Sequence, residues 1–205
     1  MDQQRYVPNC PTQLTKTERV YYRAVSRDGK VQPGFTVKQN SRAAAVICSS
    51  DLRLSEDDGI VQCGPTFESY PVCYKTTERG ALWVYCARDP EVRELYKYPL
   101  AEVTKSFTAS KARPWKIELE DGTKCTVRQG GAGGTATDGR ISTYNCTGTT
   151  KKHVVSLPRD MGSTGIKTTG AVWYAQMGEV GNPGDKLPDV EGVAIKKAYF
   201  AAYAN

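Results

Sequence analysis

With 205 residues, 39% hydrophobic and 24% charged, the chain carries enough apolar material for a buried core and too much for wholesale disorder. No apolar run is long enough to cross a bilayer as a helix, and residues 2–16 are too polar for a secretory leader. The formal net charge of +6 favours acidic partners, but the 28 basic residues are scattered and Lys151-Lys152 and Lys196-Lys197 read as solvated faces, so no specific nucleic-acid partner is expected.

Taken in chain order, residues 1–16 contain Pro8 and Pro11 and few apolar side chains, which predicts a flexible N-terminal arm. One β-rich domain is expected over 17–205, with a possible subdomain boundary in the polar stretch 100–113. Val20 to Val25 and Val31 to Val37 flank Arg27-Asp28-Gly29-Lys30, the pattern of a hairpin. A second Asp-Gly turn, Asp58-Gly59, separates a stretch ending at Leu54 from Ile60-Val61-Gln62-Cys63. Val72 to Lys75 and Ala81 to Ala87 predict another hairpin, the second strand being nearly all β-formers. Asp89-Pro90-Glu91-Val92-Arg93-Glu94-Leu95 has an N-cap residue followed by proline and predicts a short helix.

The strongest hairpin pattern is Trp115 to Leu119 against Thr123 to Arg128, turned by Glu120-Asp121-Gly122. Its strict alternation predicts one buried and one wet face. A glycine-rich loop follows, and further strands are expected at Ile141 to Cys146, His153 to Leu157, Ala171 to Met177 and Val193 to Phe200. Gly178 to Gly192 reads as a long surface loop. Ala43 to Ile47 and Val193 to Ala204 are ambiguous because alanine lowers β-propensity. The fold class expected is mainly β: antiparallel hairpins forming a sandwich or barrel-like domain stapled by local disulfides, with at most short helices.

Six of the seven cysteines fall into pairs of short separation on such segments: Cys48 with Cys63, Cys73 with Cys86, and Cys125 with Cys146. Cys10 remains as a free thiol, or one that pairs between chains. With no C-x-x-C and one histidine, His153, a metal site is not expected, whereas disulfides are the rule in oxidising compartments. The expectation is a secreted or envelope-associated chain whose signal peptide has been removed.

The residues most suggestive of a ligand are Gly130, Gly131, Gly133 and Gly134, flanked by Arg128 and Arg140. Backbone amides of a glycine run can cradle an anion and the arginines would add charge, although the Lys-Ser or Lys-Thr of a phosphate loop is lacking. His153 has no nucleophile motif around it. The carboxylates at Glu56-Asp57-Asp58 and at Asp89, Glu91 and Glu94 sit in turn or helix-start patterns. Tyr21-Tyr22 and the pair Tyr96 and Tyr98 offer stacking surfaces. Asn145-Cys146-Thr147 has the form of a glycosylation acceptor.

Pro114 to Ala132, with Asp138-Gly139, Tyr144-Asn145-Cys146, the run around Trp173 and the closing Ala198-Tyr199-Phe200-Ala201, resembles uncharacterised exported proteins of actinobacteria over about residues 60–201. The resemblance implies an exported or envelope-attached location, with Cys125 and Cys146 paired, and transfers no active site. This chain has Gly133 where that pattern carries a bulky aromatic residue.

No cofactor and no catalytic residue are expected. The function these features favour is an extracytoplasmic, non-enzymatic binding protein at the cell envelope, its ligand anionic or glycan, or another protein. The alternatives are an envelope hydrolase working through acidic residues or His153, and a secreted effector or structural protein recognised by another protein.

Overall fold

A computed structural model describes residues 7–8, 13–39, 44–49, 54–64, 70–104, 112–128, 139–148, 152–157, 164–180 and 188–205. Its strands are β1 (Val7–Pro8), β2 (Glu18–Tyr22), β3 (Thr36–Gln39), β4 (Val46–Ser49), β5 (Ile60–Cys63), β6 (Tyr70–Glu78), β7 (Ala81–Ala87) and β8 (Glu94–Thr104). They continue with β9 (Lys116–Leu119), β10 (Lys124–Val127), β11 (Ile141–Cys146), β12 (Lys152–Ser156), β13 (Ile166–Lys167), β14 (Trp173–Glu179) and β15 (Glu191–Ala201). No helix occurs among the described residues, so none there is long and apolar enough to cross a membrane. The chain is an all-β protein stapled by local disulfides.

Two compact units divide it: residues 1–19 with 116–198, and residues 20–115 with 199–205. In the first, β15, β9, β10, β11, β12 and β14 follow one another, and β14 pairs back onto β15 to close the ring. Buried Ile117, Leu119, Cys125, Tyr144, Val154, Ala175 and Ile195 form its interior. In the second, β8, β4, β5, β6 and β7 form a smaller ring, closed by β7 on β8, with β3 added to β8. Closure leaves few strand edges open.

Each disulfide joins residues directly opposite one another on antiparallel neighbours: Cys48 to Cys63 across β4 and β5, Cys73 to Cys86 across β6 and β7, and Cys125 to Cys146 across β10 and β11. Loops of 15, 13 and 21 residues are closed, and each closure stabilises by about 3 kcal/mol on the chain-entropy account.

Turn chemistry explains the local geometry. Asp121-Gly122 and Asp28-Gly29 build the same device: Gly122 N–H donates to Leu119 C=O at 3.0 Å and Gly29 N–H to Ser26 C=O at 2.9 Å, with φ of 86° and 84° that glycine adopts without a Cβ clash. Gly59 serves differently. A Cβ there would lie 2.4 Å from the Tyr203 hydroxyl, so its hydrogen is what lets that ring approach. The one proton of Tyr203 Oη is shared between Gly59 C=O at 2.8 Å and Lys75 C=O at 3.0 Å, while Tyr203 N–H donates to Asp57.

Four departures from the sequence reading have physical causes. Asp28-Gly29 turns the chain, but the hairpin stops at the single bridge Val25 to Val31; β3 pairs with β8, in parallel. The expected helix at 89–95 is one turn, closed by Val92 N–H on Asp89 C=O with Glu91 N–H on the Asp89 carboxylate, after which Glu94 and Leu95 enter β8. Pairing of β8 on both its edges outweighs one favourable cap. The polar face of β9 is covered as well: Lys116 is buried and Glu118 accepts from Lys196. Within the predicted arm, Val7–Pro8 pairs in parallel with β15.

Thiol titration of the unfolded, unreduced chain should find one reactive group, Cys10, which lies outside the described residues, and seven after reduction. Tyr203→Phe and Gly59→Ala should each cost about 1–3 kcal/mol, read as a lower thermal midpoint, because buried carbonyls lose their donor or the ring loses its seat.

Candidate functional site

The most developed cluster of polar and aromatic groups lies at one mouth of the second unit's ring. Tyr96 and Tyr98 alternate on β8 and therefore share a face, the one directed at the ring interior, where they pack with buried Tyr70 of β6. Ring centroids are 5.5 Å apart for Tyr70 and Tyr96 and 5.4 Å for Tyr70 and Tyr98. Exposed Arg88, just past the end of β7, lays its guanidinium 4.7 Å from the Tyr70 ring centre and 5.3 Å from that of Tyr96. Cation–π attraction and a 3.0 Å hydrogen bond from Arg88 Nη2 to Tyr70 Oη hold it there.

Protons are ordered along this cluster. Arg88 donates to Tyr70, whose hydroxyl lies 2.6 Å from that of Tyr98. Burial, reinforced by the Tyr70 hydrogen bond, raises the Tyr98 pKa well above its ordinary value. Tyr96 donates to Glu94, and that bond raises its pKa too. Glu94 is held below the usual carboxylate range by Lys38, 2.6 Å away, and by Tyr96. With Glu94 and Lys38 neutralising each other, the cluster presents the hydroxyls of Tyr96 and Tyr98, both harder to ionise than an ordinary phenol, and the guanidinium of Arg88. Such groups stack, donate hydrogen bonds and attract anions.

Other sequence candidates are placed less favourably for a shared ligand. Arg140 is fully buried in the first unit, and its Nη1 donates to Pro188 C=O at 3.0 Å and Glu179 C=O at 3.4 Å. It secures backbone rather than facing solvent. Gly130, Gly131, Gly133 and Gly134 lie outside the described residues. Arg128 does come near His153, whose pKa is lowered first by burial and then by the Arg128 charge. His153 Nδ1 is buried and has no hydrogen-bond partner among the described residues. Asp57 binds Arg27 and the Tyr203 amide, and Asp89 caps its turn, so these acids have structural tasks.

Tyr96 and Tyr98 were visible in the sequence as a pair. Arg88 and Tyr70 were not, because neither stands in a motif, and the β6–β7 and β7–β8 registers bring them alongside. The chain matches no protein-family model, no curated protein and no solved structure.

The histidine gives a pH test. Its folded pKa lies below the unfolded value near 6.5, so the unfolded chain binds the proton more readily and stability falls as pH drops through that value. Between pH 7.5 and 5.5 the urea midpoint should decline in the native chain and decline less in His153→Gln.

Proposed function

We propose that this chain is an extracytoplasmic, non-enzymatic binding protein of the cell envelope that takes an anionic glycan at the mouth formed by Tyr70, Tyr96, Tyr98 and Arg88. The observation that carries this reading is the exposed Arg88 guanidinium stacked over two tyrosine rings. The exposed guanidinium suits a carboxylate or phosphate on a sugar, and the half-buried Tyr96 and Tyr98 offer apolar area and hydroxyls beside it. Tyr96 and Tyr98, with raised pKa values, offer protonated hydroxyls beside the guanidinium. Three disulfides, which persist in oxidising compartments, and the resemblance to exported actinobacterial proteins support the location.

The test is retention of the oxidised chain by envelope fractions and on an array of neutral and anionic glycans. Anionic glycans should be retained, and Arg88→Ala and Tyr96→Ala should each weaken binding at least about tenfold, a loss of ~1.4 kcal/mol. Arg88→Lys should recover only part, because it keeps the charge and loses the planar stack. No retention by any fraction would remove the proposal, and retention unchanged in Arg88→Ala would remove the site.

A further inference from the structure

The second unit's ring has another mouth, opposite in character. β7 and β8 stay paired from Cys86 with Tyr96 to Trp83 with Pro99, after which β8 leaves β7 and runs beside β4, Val46 opposite Leu100 and Ser49 opposite Thr104. β6 and β7 remain paired to their turn, Glu78 opposite Ala81. The divergence opens a cavity of about 490 Å³, within the range of small-ligand sites. Leu82, Leu100 and Val103 form its apolar wall and Lys75, Thr76 and Thr77 its polar one, with Arg27 and Asp28 at the rim.

Register fixes which side chains face in. Cys73 and Cys86 are opposite one another and bonded inside the ring; Lys75 opposite Val84 and Thr77 opposite Leu82 follow two and four residues on, on the same face. The Sγ atoms of Cys63, Cys73 and Cys86, all within 4.8 Å of one another, pack inside the ring at the level of Tyr96, which is opposite Cys86. Tyr98, opposite Val84, and Leu100 are successive inward residues of β8, so the cavity lies next along the strand from the aromatic cluster.

The charges around the cavity do not cancel. Arg27 is bound to Asp57, and Asp28 to Lys30 and Ser26. Among the described residues the Lys75 ammonium has no carboxylate partner, and Leu82 keeps 54% of its surface exposed at the rim. Among the described residues, a cation without a carboxylate partner beside an apolar wall suits a molecule with one negative head and one hydrocarbon tail.

We infer that this cavity binds a single-chain anionic amphiphile, its head on Lys75 and its tail against Leu82, Leu100 and Val103. The inference does not rest on the glycan reading, and the two fail separately. The oxidised full chain would be titrated by calorimetry with dodecanoate below its micelle concentration, with dodecanol and dodecyltrimethylammonium as controls. Saturable one-to-one binding of dodecanoate is expected, at least about tenfold tighter than dodecanol, and none of the cation. Lys75→Met should weaken dodecanoate about tenfold while leaving dodecanol unchanged, and exposed Leu82→Asp should weaken both, with circular dichroism reporting the intact fold of each variant. Arg88→Ala should not alter either affinity. Absence of dodecanoate binding, equal binding of all three probes, or binding indifferent to both cavity variants would overturn the inference.

Discussion

Everything described here depends on two long strands that use both of their edges. β8 and β15 are each 11 residues long. β8 takes β7 on one edge and, in succession, β3 and β4 on the other; β15 takes β14, β9, β1 and β2. A strand that satisfies backbone donors and acceptors on both sides closes its sheet, and a closed sheet has an inside. The disulfides act on rings already defined this way. Each lies between strands that are hydrogen-bonded neighbours, so it limits the unfolded chain and locks a local register rather than joining distant elements.

Closure also distributes chemistry along one strand. Leu95 is buried on one face of β8, while Tyr96, Tyr98 and Leu100 pack toward the ring interior on the other. The aromatic mouth and the amphiphilic cavity are successive stretches of that inner face, the first level with the Cys73–Cys86 bridge and the second beyond it. At the first, Arg88 is the charge beside the Tyr96 and Tyr98 hydroxyls; at the second, Lys75 is the charge and the hydrocarbon wall is the attraction. Arg140 shows a basic residue in the contrary role. Buried in the first unit, it donates from Nη1 to the carbonyls of both Glu179 and Pro188 and so ties backbone rather than facing solvent.

The hairpins were legible because their information is local. Asp-Gly between alternating segments specifies a turn, β-branched and aromatic runs specify strands, and cysteines on adjacent strands at short separation specify a bridge. Thus the ladders from Tyr70 to Ala87 and from Lys116 to Val127 and the three cysteine pairs follow from short windows of sequence. Where a partner lies far along the chain, short windows mislead. Val20 to Val37 looks like a hairpin, yet its two halves pair with β15 and β8; the segment after Asp89 has a good helix start, yet becomes a strand because β7 and β3 are waiting on either side of it.

The β class, the turns and the disulfide layout rest on backbone preference or loop closure over about ten to twenty residues, and short stretches of sequence specify them. Long-range pairing sets which strands close the rings, that Arg140 is buried, that Arg88 lies on Tyr70 and Tyr96, and that Lys75 faces a cavity. Each of those depends on register between segments tens of residues apart, where a shift of one residue exchanges the inner face for the outer. Composition and spacing carry no record of that choice.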